Sequence, residues 1–211
     1  MICSSEMNTT YKLIMMDMGG VLAIHTDQSM EKNLLQMFNI HGYSSFTDLN
    51  PSLPKLLELH SKGSIDEDEM WRRFTALTNI AVPASDHSLW ATFFHPQLDK
   101  DVSALIEKIK ENGYRIVCAT NTEMAHYQYH LSHGQYSQFD KVYASCFIKQ
   151  VKPDKEFFRY ILHSENVSAS EVIFIDDYQS NCKSASELGI NAHQFYTATK
   201  LEKYLKDLKV I

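Results

Sequence analysis

The stretch that decides the fold covers residues 11–20 and reads YKLIMMDMGG. Its first six residues form a short, mostly apolar run, which predicts a buried strand. The paired glycines predict that a loop follows directly. Asp17 stands at this junction. A lone aspartate before two glycines is most simply a turn residue, so any chemical role for it depends on what the rest of the chain brings beside it.

Apolar runs and amphipathic stretches alternate along most of the remaining chain. Runs that predict strands begin near residues 115, 141, 172 and 192, and patterns that predict helices lie between them. Strands that alternate with helices are typical of a parallel sheet with helices on both faces. We therefore predict an α/β fold built on a doubly wound parallel sheet.

The region between residues 28 and 96 has a different pattern of apolar residues and contains no convincing strand. Helical spacing of apolar residues occurs around Leu34, behind Ser64 and from Leu89 to Phe94. We predict a small α-helical cap inserted into the α/β core. The predicted division is a core of residues 11–27 and 97–211, a cap of residues 28–96 and a flexible N-terminus of residues 1–10.

Composition and charge narrow the class of protein. The chain has 211 residues, 44% of them hydrophobic, and a net charge of −6. An acidic chain of this kind argues against nucleic acid or an anionic membrane surface as a partner, and no apolar run approaches the ~20 residues of a membrane span. Four cysteines without a paired spacing predict reduced thiols and a cytoplasmic location. The sequence makes no prediction of oligomeric state.

Polar residues end three of the predicted strands. They are Asp17, the pair Thr120-Asn121 and the pair Asp176-Asp177. In a doubly wound sheet, ligands bind outside the carboxyl ends of the strands, and the topology brings these residues to one edge. Carboxylates held together repel each other unless a cation is present. Oxygen ligands favour Mg²⁺, so we predict a magnesium site at this edge.

Three more groups complete the parts needed for phosphoryl transfer. Thr120 and Asn121 offer a hydroxyl and an amide to a phosphate, and Lys152 offers a positive charge. A metal, a carboxylate, a lysine and a hydroxyl together stabilise the charge that develops in such a reaction. Taken alone, Lys152 could be a surface lysine and Thr120 a helix N-cap.

In order and spacing, these residues resemble the four motifs of the haloacid dehalogenase superfamily. The first is DMGGVL at residues 17–22, and the second is Thr120 at the end of an apolar strand. The third is Lys152 followed by proline, and the fourth is FIDD at residues 174–177. Each motif is weak alone, but four in order are specific. The resemblance extends from Tyr11 to about residue 195.

The resemblance also implies a subclass and an activity. The helical insertion is similar to the small cap of subclass I. The segments around the second, third and fourth motifs look closest to the alpha-glucose-1-phosphate phosphatase branch, and they are similar to the N-terminal phosphatase domain of soluble epoxide hydrolase. The activity implied is that of a Mg²⁺-dependent phosphatase acting on a small phosphorylated metabolite, such as a sugar phosphate, through an aspartyl-phosphate.

Roles at the metal follow from the same resemblance. Asp17 would be the nucleophile and would bind Mg²⁺ together with Asp177. Gly19 would add its backbone carbonyl, and Asp176 would support the site from beside or behind the metal.

Substrate contacts are implied in the same way. Thr120 and Asn121 would hold the phosphoryl oxygens, and Lys152 would bridge the phosphate and Asp17. Asn181 would orient groups that touch the metal.

One position departs from the family pattern. The phosphatases usually carry a second aspartate two residues after the nucleophile, which protonates the leaving group, and this chain has Gly19 there. Acid–base help of this kind is typically worth ~10²–10⁴-fold. We therefore predict a preference for good leaving groups, such as anomeric sugar phosphates or acyl phosphates. His25 and Asp27 are candidate replacements for the acid.

Two other functions stay open at this point. A metal-free dehalogenase also uses an aspartate nucleophile, but a site without a cation gains nothing from Asp176-Asp177. A non-catalytic protein that binds a phosphorylated ligand is the second, with Gly19 marking lost turnover.

Two further patterns have simpler explanations. The helical histidine stripe, which could hold a metal, is more simply a set of solvated or packing residues. The aromatic set of the cap is more simply cap core, although some members could line the substrate entrance. These patterns comprise His126, His130 and His133, and Trp71, Phe74, Trp90, Phe93 and Phe94.

Overall fold

The computed structural model describes residues 11–24 and 30–211. The predicted flexible N-terminus at residues 1–10 and the candidate acids His25 and Asp27 lie outside the described residues. No helix in the described part of the chain is both long enough and apolar enough to cross a membrane. Cys118, Cys146 and Cys182 are buried and form no disulfide.

A parallel five-stranded sheet forms the centre of the structure, in the order β5-β4-β1-β6-β7. A separate antiparallel pair, β2 with β3, lies where the chain passes between the core and the region of residues 30–96. The strands are β1 (Leu13–Met16), β2 (Ala23–Ile24), β3 (Gln97–Leu98), β4 (Arg115–Thr120), β5 (Lys141–Ala144), β6 (Val172–Asp176) and β7 (Asn191–Gln194).

Helices cover both faces of the sheet, so the predicted doubly wound α/β fold is confirmed. Helices α4 and α9 pack on one face, and α7 and α8 pack on the other. The helices are α1 (Met30–Met37), α2 (Leu53–Ser61), α3 (Glu67–Thr78), α4 (Lys100–Glu111), α5 (Met124–Ser132), α6 (Ser145–Ile148), α7 (Lys155–Glu165), α8 (Gln179–Ser186) and α9 (Ala198–Asp207).

The central strand β1 shows why its sequence is continuously apolar. Side chains alternate between the faces of a strand, and both faces of β1 are covered. Ile14 and Met16 join the cluster under α4 and α9, whereas Leu13 and Met15 join the cluster under α7. All four side chains are at most 1% exposed. The strand that ends at Asp17 is therefore held rigidly in the middle of the molecule.

Residues 30–96 contain α1, α2 and α3 and no named strand. Their apolar side chains form a hydrophobic cluster that is distinct from the two clusters of the sheet. Trp71, Phe74 and Trp90 are members of this cluster, which agrees with the simpler explanation of the aromatic set. On this basis we propose residues 28–96 as the cap of a core that comprises residues 11–27 and 97–211.

The helix predicted from Leu89 to Phe94 is wrong. This segment forms turns, with hydrogen bonds from Thr92 N to the Leu89 carbonyl (3.1 Å) and from Phe94 N to the Ala91 carbonyl (3.1 Å). A side chain from α3 anchors this segment. The Glu67 carboxylate accepts hydrogen bonds from Trp90 N (3.0 Å) and from Ser88 Oγ (2.6 Å). Pro96 follows closely, which leaves too few residues for a helix to propagate.

Candidate active site

The ends of the central strands bring the predicted residues together. Met16 pairs with Cys118 on β4 and with Ile175 on β6, so the residues that follow all emerge at one edge. A cavity of about 650 Å³ opens there. Its lining includes the predicted residues Asp17, Gly19, Thr120, Asn121, Lys152 and Asp177.

Lys152 is the cation at the centre of this arrangement. Its Nζ lies 2.9 Å from Asp17 Oδ1 and 2.6 Å from Asp176 Oδ2. The lysine side chain is 1% exposed. Burial lowers the pKa of Lys152, but the two carboxylates outweigh burial and raise it above its ordinary value. The lysine therefore carries its charge and holds Asp17 in a fixed position.

Asp176 uses both of its carboxylate oxygens within the protein. Oδ1 accepts hydrogen bonds from Tyr178 N (2.8 Å) and Asn181 Nδ2 (2.9 Å). Oδ2 accepts from Lys152 Nζ (2.6 Å) and again from Asn181 Nδ2 (3.0 Å). The side chain is fully buried. We propose that Asp176 positions Lys152, and its predicted place beside the metal stays a prediction.

Asp17 is held by two donors on the same oxygen. Oδ1 accepts from Met18 N (2.7 Å) and contacts Lys152 Nζ. Burial raises the pKa of Asp17, and the nearby lysine opposes this rise. Any group that adds positive charge next to Asp17 would favour its ionised form.

Asp177 provides the observation that fits a metal ion. Its Oδ1 is buried and has no hydrogen-bond partner among the described residues. Burial, together with Asp176, raises the pKa of Asp177. Leaving a buried carboxylate oxygen unpaired is unfavourable, and a cation would satisfy it. One oxygen each of Asp17, Asp176 and Asp177 lies within 4.8 Å of the others, and such a set suits Mg²⁺.

Asn121 holds the segment that carries Lys152. Its Nδ2 donates to the Lys152 carbonyl (2.8 Å), and its Oδ1 accepts from Lys152 N (2.8 Å). The side-chain amide is therefore engaged with the main chain of Lys152. Its predicted contact with a phosphoryl oxygen stays a prediction, as does that of the neighbouring Thr120 hydroxyl.

Gly20 is required by the close approach of Asp177. Gly20 has φ +73° and donates its N–H to the Ala23 carbonyl (3.0 Å). A Cβ atom at Gly20 would collide with the Asp177 carboxylate and would lie 2.7 Å from its Cγ. The second glycine of the first motif therefore leaves room for a candidate metal ligand.

Replacing Gly20 by alanine is expected to destabilise the fold. The positive φ and the collision together should lower the free energy of unfolding by about 2–4 kcal/mol. Urea denaturation measures this loss. Gly113→Ala is the matched control, because Gly113 has φ +82° but open space around it. Equal losses for the two variants would show that the Asp177 carboxylate moves aside freely.

Sequence reasoning missed several residues around the site. Tyr178 and Ser180 line the cavity directly after the aspartate pair, and this position in the sequence was the available signal. Glu31, Ser44 and Ser45, all from the proposed cap, line an adjoining cavity. Helical spacing and motifs gave no signal for these three.

The predicted histidine stripe is used in packing. His126 stacks on Phe94 with ring centroids 3.5 Å apart, and its Nε2 lies 3.0 Å from the Trp90 carbonyl. His130 Nδ1 contacts Gln135 Oε1 at 2.5 Å. Within residues 11–24 and 30–211, the group with metal-ligand geometry is the aspartate set and not the histidines.

Comparisons with known proteins identify relatives of this chain. The sesquiterpene phosphatase astK of Aspergillus oryzae is 27% identical over 194 residues, which are 87% of this chain and 89% of that protein. The drimenol cyclase drtB of Aspergillus calidoustus is 23% identical over 153 residues, but this chain matches only 29% of that protein's length.

A solved structure supports the fold. It is an enzyme of the haloacid dehalogenase family from Bacteroides thetaiotaomicron, in complex with magnesium and inorganic phosphate. It matches with a TM-score of 0.69 and 23% identity, covering 88% of this chain and 94% of that chain. The predicted closeness to the alpha-glucose-1-phosphate phosphatase branch stays a prediction. The family model of the haloacid dehalogenase-like hydrolases matches residues 14–194. The chain therefore belongs to the haloacid dehalogenase-like hydrolase family.

Proposed function

We propose that the chain is a Mg²⁺-dependent phosphatase that hydrolyses a small phosphomonoester through an aspartyl-phosphate. One observation supports this above the others. Asp17 is fixed by Lys152 in a cavity that Asp177 also lines, and Oδ1 of Asp177 has no hydrogen-bond partner among the described residues. A nucleophile, a cationic group and an incomplete oxygen ligand set thus face the same space.

In the first step, a carboxylate oxygen of Asp17 attacks the phosphorus atom. A bond forms between Asp17 and phosphorus, and the bond from phosphorus to the alcohol oxygen breaks. Lys152 stabilises the negative charge on the phosphoryl oxygens, and the Thr120 hydroxyl donates to them. The alkoxide leaves with the bonding electron pair and takes up a proton from solvent.

In the second step, water attacks the phosphorus atom of the aspartyl-phosphate. The bond from phosphorus to Asp17 breaks, which releases inorganic phosphate and restores the carboxylate. When bound, Mg²⁺ would neutralise phosphoryl charge and orient the phosphate. Asp17 and Asp177 are the side chains that would hold it, with the carbonyl of Gly19.

The glycine at position 19 shapes the proposed substrate range. No side chain there can protonate the leaving alcohol, so good leaving groups should react faster. A sugar phosphate with an anomeric ester fits this expectation. The name of the Aspergillus oryzae relative suggests a second candidate, the phosphomonoester of a terpenoid alcohol.

The alternatives make different predictions. A non-catalytic protein would bind phosphate and Mg²⁺ without releasing product. A dehalogenase would release halide without needing a metal, which the aspartate set argues against. The cytoplasmic location and the absence of nucleic-acid and membrane partners stay predictions.

Phosphate release should depend on Mg²⁺. With sugar phosphates, acyl phosphates and nitrophenyl phosphate as substrates, we expect a chelator to lower the rate at least about 100-fold and Mg²⁺ to restore it. Mg²⁺ should also raise the unfolding temperature, because it binds only the folded state. Asp177→Asn should weaken both effects.

Glu187→Gln is the control for this experiment, since Glu187 is paired with Lys155 at the surface. Release of phosphate at an undiminished rate in chelator would contradict the proposed role of the metal. Mg²⁺ binding without any release would favour the non-catalytic alternative.

A further inference from the structure

A second cavity of about 530 Å³ adjoins the one that contains Asp17. The two share Gly19, Thr120, Asn121 and Tyr178 in their linings. A phosphomonoester with its phosphorus beside Asp17 would extend its alcohol across this shared boundary. The second cavity therefore lies where the leaving group must be accommodated, and its volume suits a small organic molecule.

The lining of the second cavity has an apolar side and a polar side. Ala23, Met30 and Phe94 provide apolar surface. Ser44 and Ser45 provide hydroxyl groups from the loop that follows α1. The cavity thus offers contacts to carbon and to hydroxyl groups alike.

Glu31 is the acidic residue in this lining. Its Oε2 accepts a hydrogen bond from Phe46 N at 2.8 Å, which holds the carboxylate in place and favours its ionised form. Burial raises the pKa of Glu31, and the Phe46 amide opposes that rise. Glu31 also lies in the first turn of α1, where a negative charge is favourable.

No lysine or arginine balances this charge within the part of the lining that the structure describes. His126 and His130 also belong to the lining, and each contacts other protein groups. Lys152 lines the first cavity and is already shared between Asp17 and Asp176. A second anionic group on the substrate would therefore meet Glu31 without a compensating cation.

We propose that the second cavity holds the alcohol part of the substrate and that Glu31 selects uncharged alcohols over those carrying a second anionic group. This inference rests on the proposed phosphatase function. It makes Glu31 a residue that determines specificity and leaves the reaction at Asp17 unchanged. Substrates with two phosphates, or with a phosphate and a carboxylate, would be excluded.

A matched pair of substrates tests the inference. 4-Propylphenyl phosphate and 3-(4-phosphonooxyphenyl)propanoate release phenols of similar pKa, carry side chains of the same length and differ in a terminal carboxylate. Wild-type protein should have a kcat/KM about tenfold or more higher for the uncharged ester, because like charges repel across a partly buried cavity. In Glu31→Gln this ratio should fall about tenfold, mainly through a lower KM for the anionic ester.

The variants are chosen so that the fold is preserved. The side chain introduced by Glu31→Gln keeps an oxygen that can accept from the Phe46 amide, so the substitution removes charge alone. Ser44→Lys, at an exposed position of the lining, is a second variant that should lower the ratio by adding a positive charge. Glu202→Gln is the control, because this carboxylate pairs with Lys108 and Lys206 at the surface.

The possible results distinguish a failure of the charge selection by Glu31 from a failure of the phosphatase function. Equal kcat/KM values for the two esters in wild-type protein would overturn the inference and leave the phosphatase function intact. A ratio unchanged in both Glu31→Gln and Ser44→Lys would likewise overturn it. If wild-type protein released no phosphate from either ester or from nitrophenyl phosphate, the proposed function itself would be wrong.

Discussion

Asp17→Asn protein is expected to fold normally and to lose phosphate release by a factor on the order of 10⁴ or more. The amide cannot attack phosphorus to form the acyl-phosphate bond, so the first step has no nucleophile. The shape of the side chain is kept, and Lys152 retains Asp176 as a partner at 2.6 Å. Steady-state release of phosphate from nitrophenyl phosphate measures the loss.

Two accompanying measurements make this result specific. Urea denaturation should show a free energy of unfolding within about 1 kcal/mol of wild type, which separates lost chemistry from lost structure. Wild-type protein, quenched in acid during turnover, should carry covalent phosphate, whereas the variant should carry none. A variant that kept a tenth of the wild-type rate would show that Asp17 is not the nucleophile.

Lys152→Met is expected to remove activity and to destabilise the fold by about 3–5 kcal/mol. Lys152 is the cation between Asp17 and Asp176, and the lysine side chain is 1% exposed. Without it, two buried carboxylates face each other with no compensating charge. Methionine fills similar volume, so lost packing contributes little. Urea denaturation at neutral pH, in chelator, measures the loss.

The control for this variant is Lys155→Met. Lys155 pairs with Glu187 at 2.8 Å, but both side chains are more than 40% exposed. A surface pair of this kind contributes about 0–1 kcal/mol, so little change is expected. Mg²⁺ should recover part of the stability of Lys152→Met, because it adds positive charge beside Asp17. A loss below about 1 kcal/mol for Lys152→Met would show that the carboxylates do not need the lysine.

The sheet and the strand-end residues could be predicted because their signals are local. A continuous apolar run such as residues 172–175 identifies a strand covered on both faces, and the topology rule then places Asp17 near Asp176. The structure adds what each side chain contacts. Asp176 and Asn121 were predicted to serve the metal and the phosphate. Their side chains have their described hydrogen bonds with Lys152 and the residues around it, and their roles at the metal and the phosphate stay predictions.

The features that were not predicted depend on contacts between distant segments. The segment after Leu89 is anchored by Glu67, which accepts the Trp90 amide, and spacing within residues 89–94 cannot reveal this contact. Glu31 is equally hidden, since its place in the second cavity depends on how α1 and the loop at Phe46 meet. Apolar periodicity indicates which face of a helix or strand is buried. It does not indicate which polar side chain from another segment contacts that helix or strand.

The position of β1 in the sheet has a consequence for how the protein is made. Leu13 pairs with Arg115 on one side and with Val172 on the other, so both neighbours of this strand come from the second half of the chain. During synthesis, the apolar strand that precedes Asp17 leaves the ribosome before β4 and β6. It cannot pair in the sheet until they follow. Such long-range pairing slows folding. Until β4 and β6 are available, the apolar strand stays exposed and prone to aggregation. Nascent chains should therefore gain protease resistance and activity together, and only after β6 has left the ribosomal tunnel.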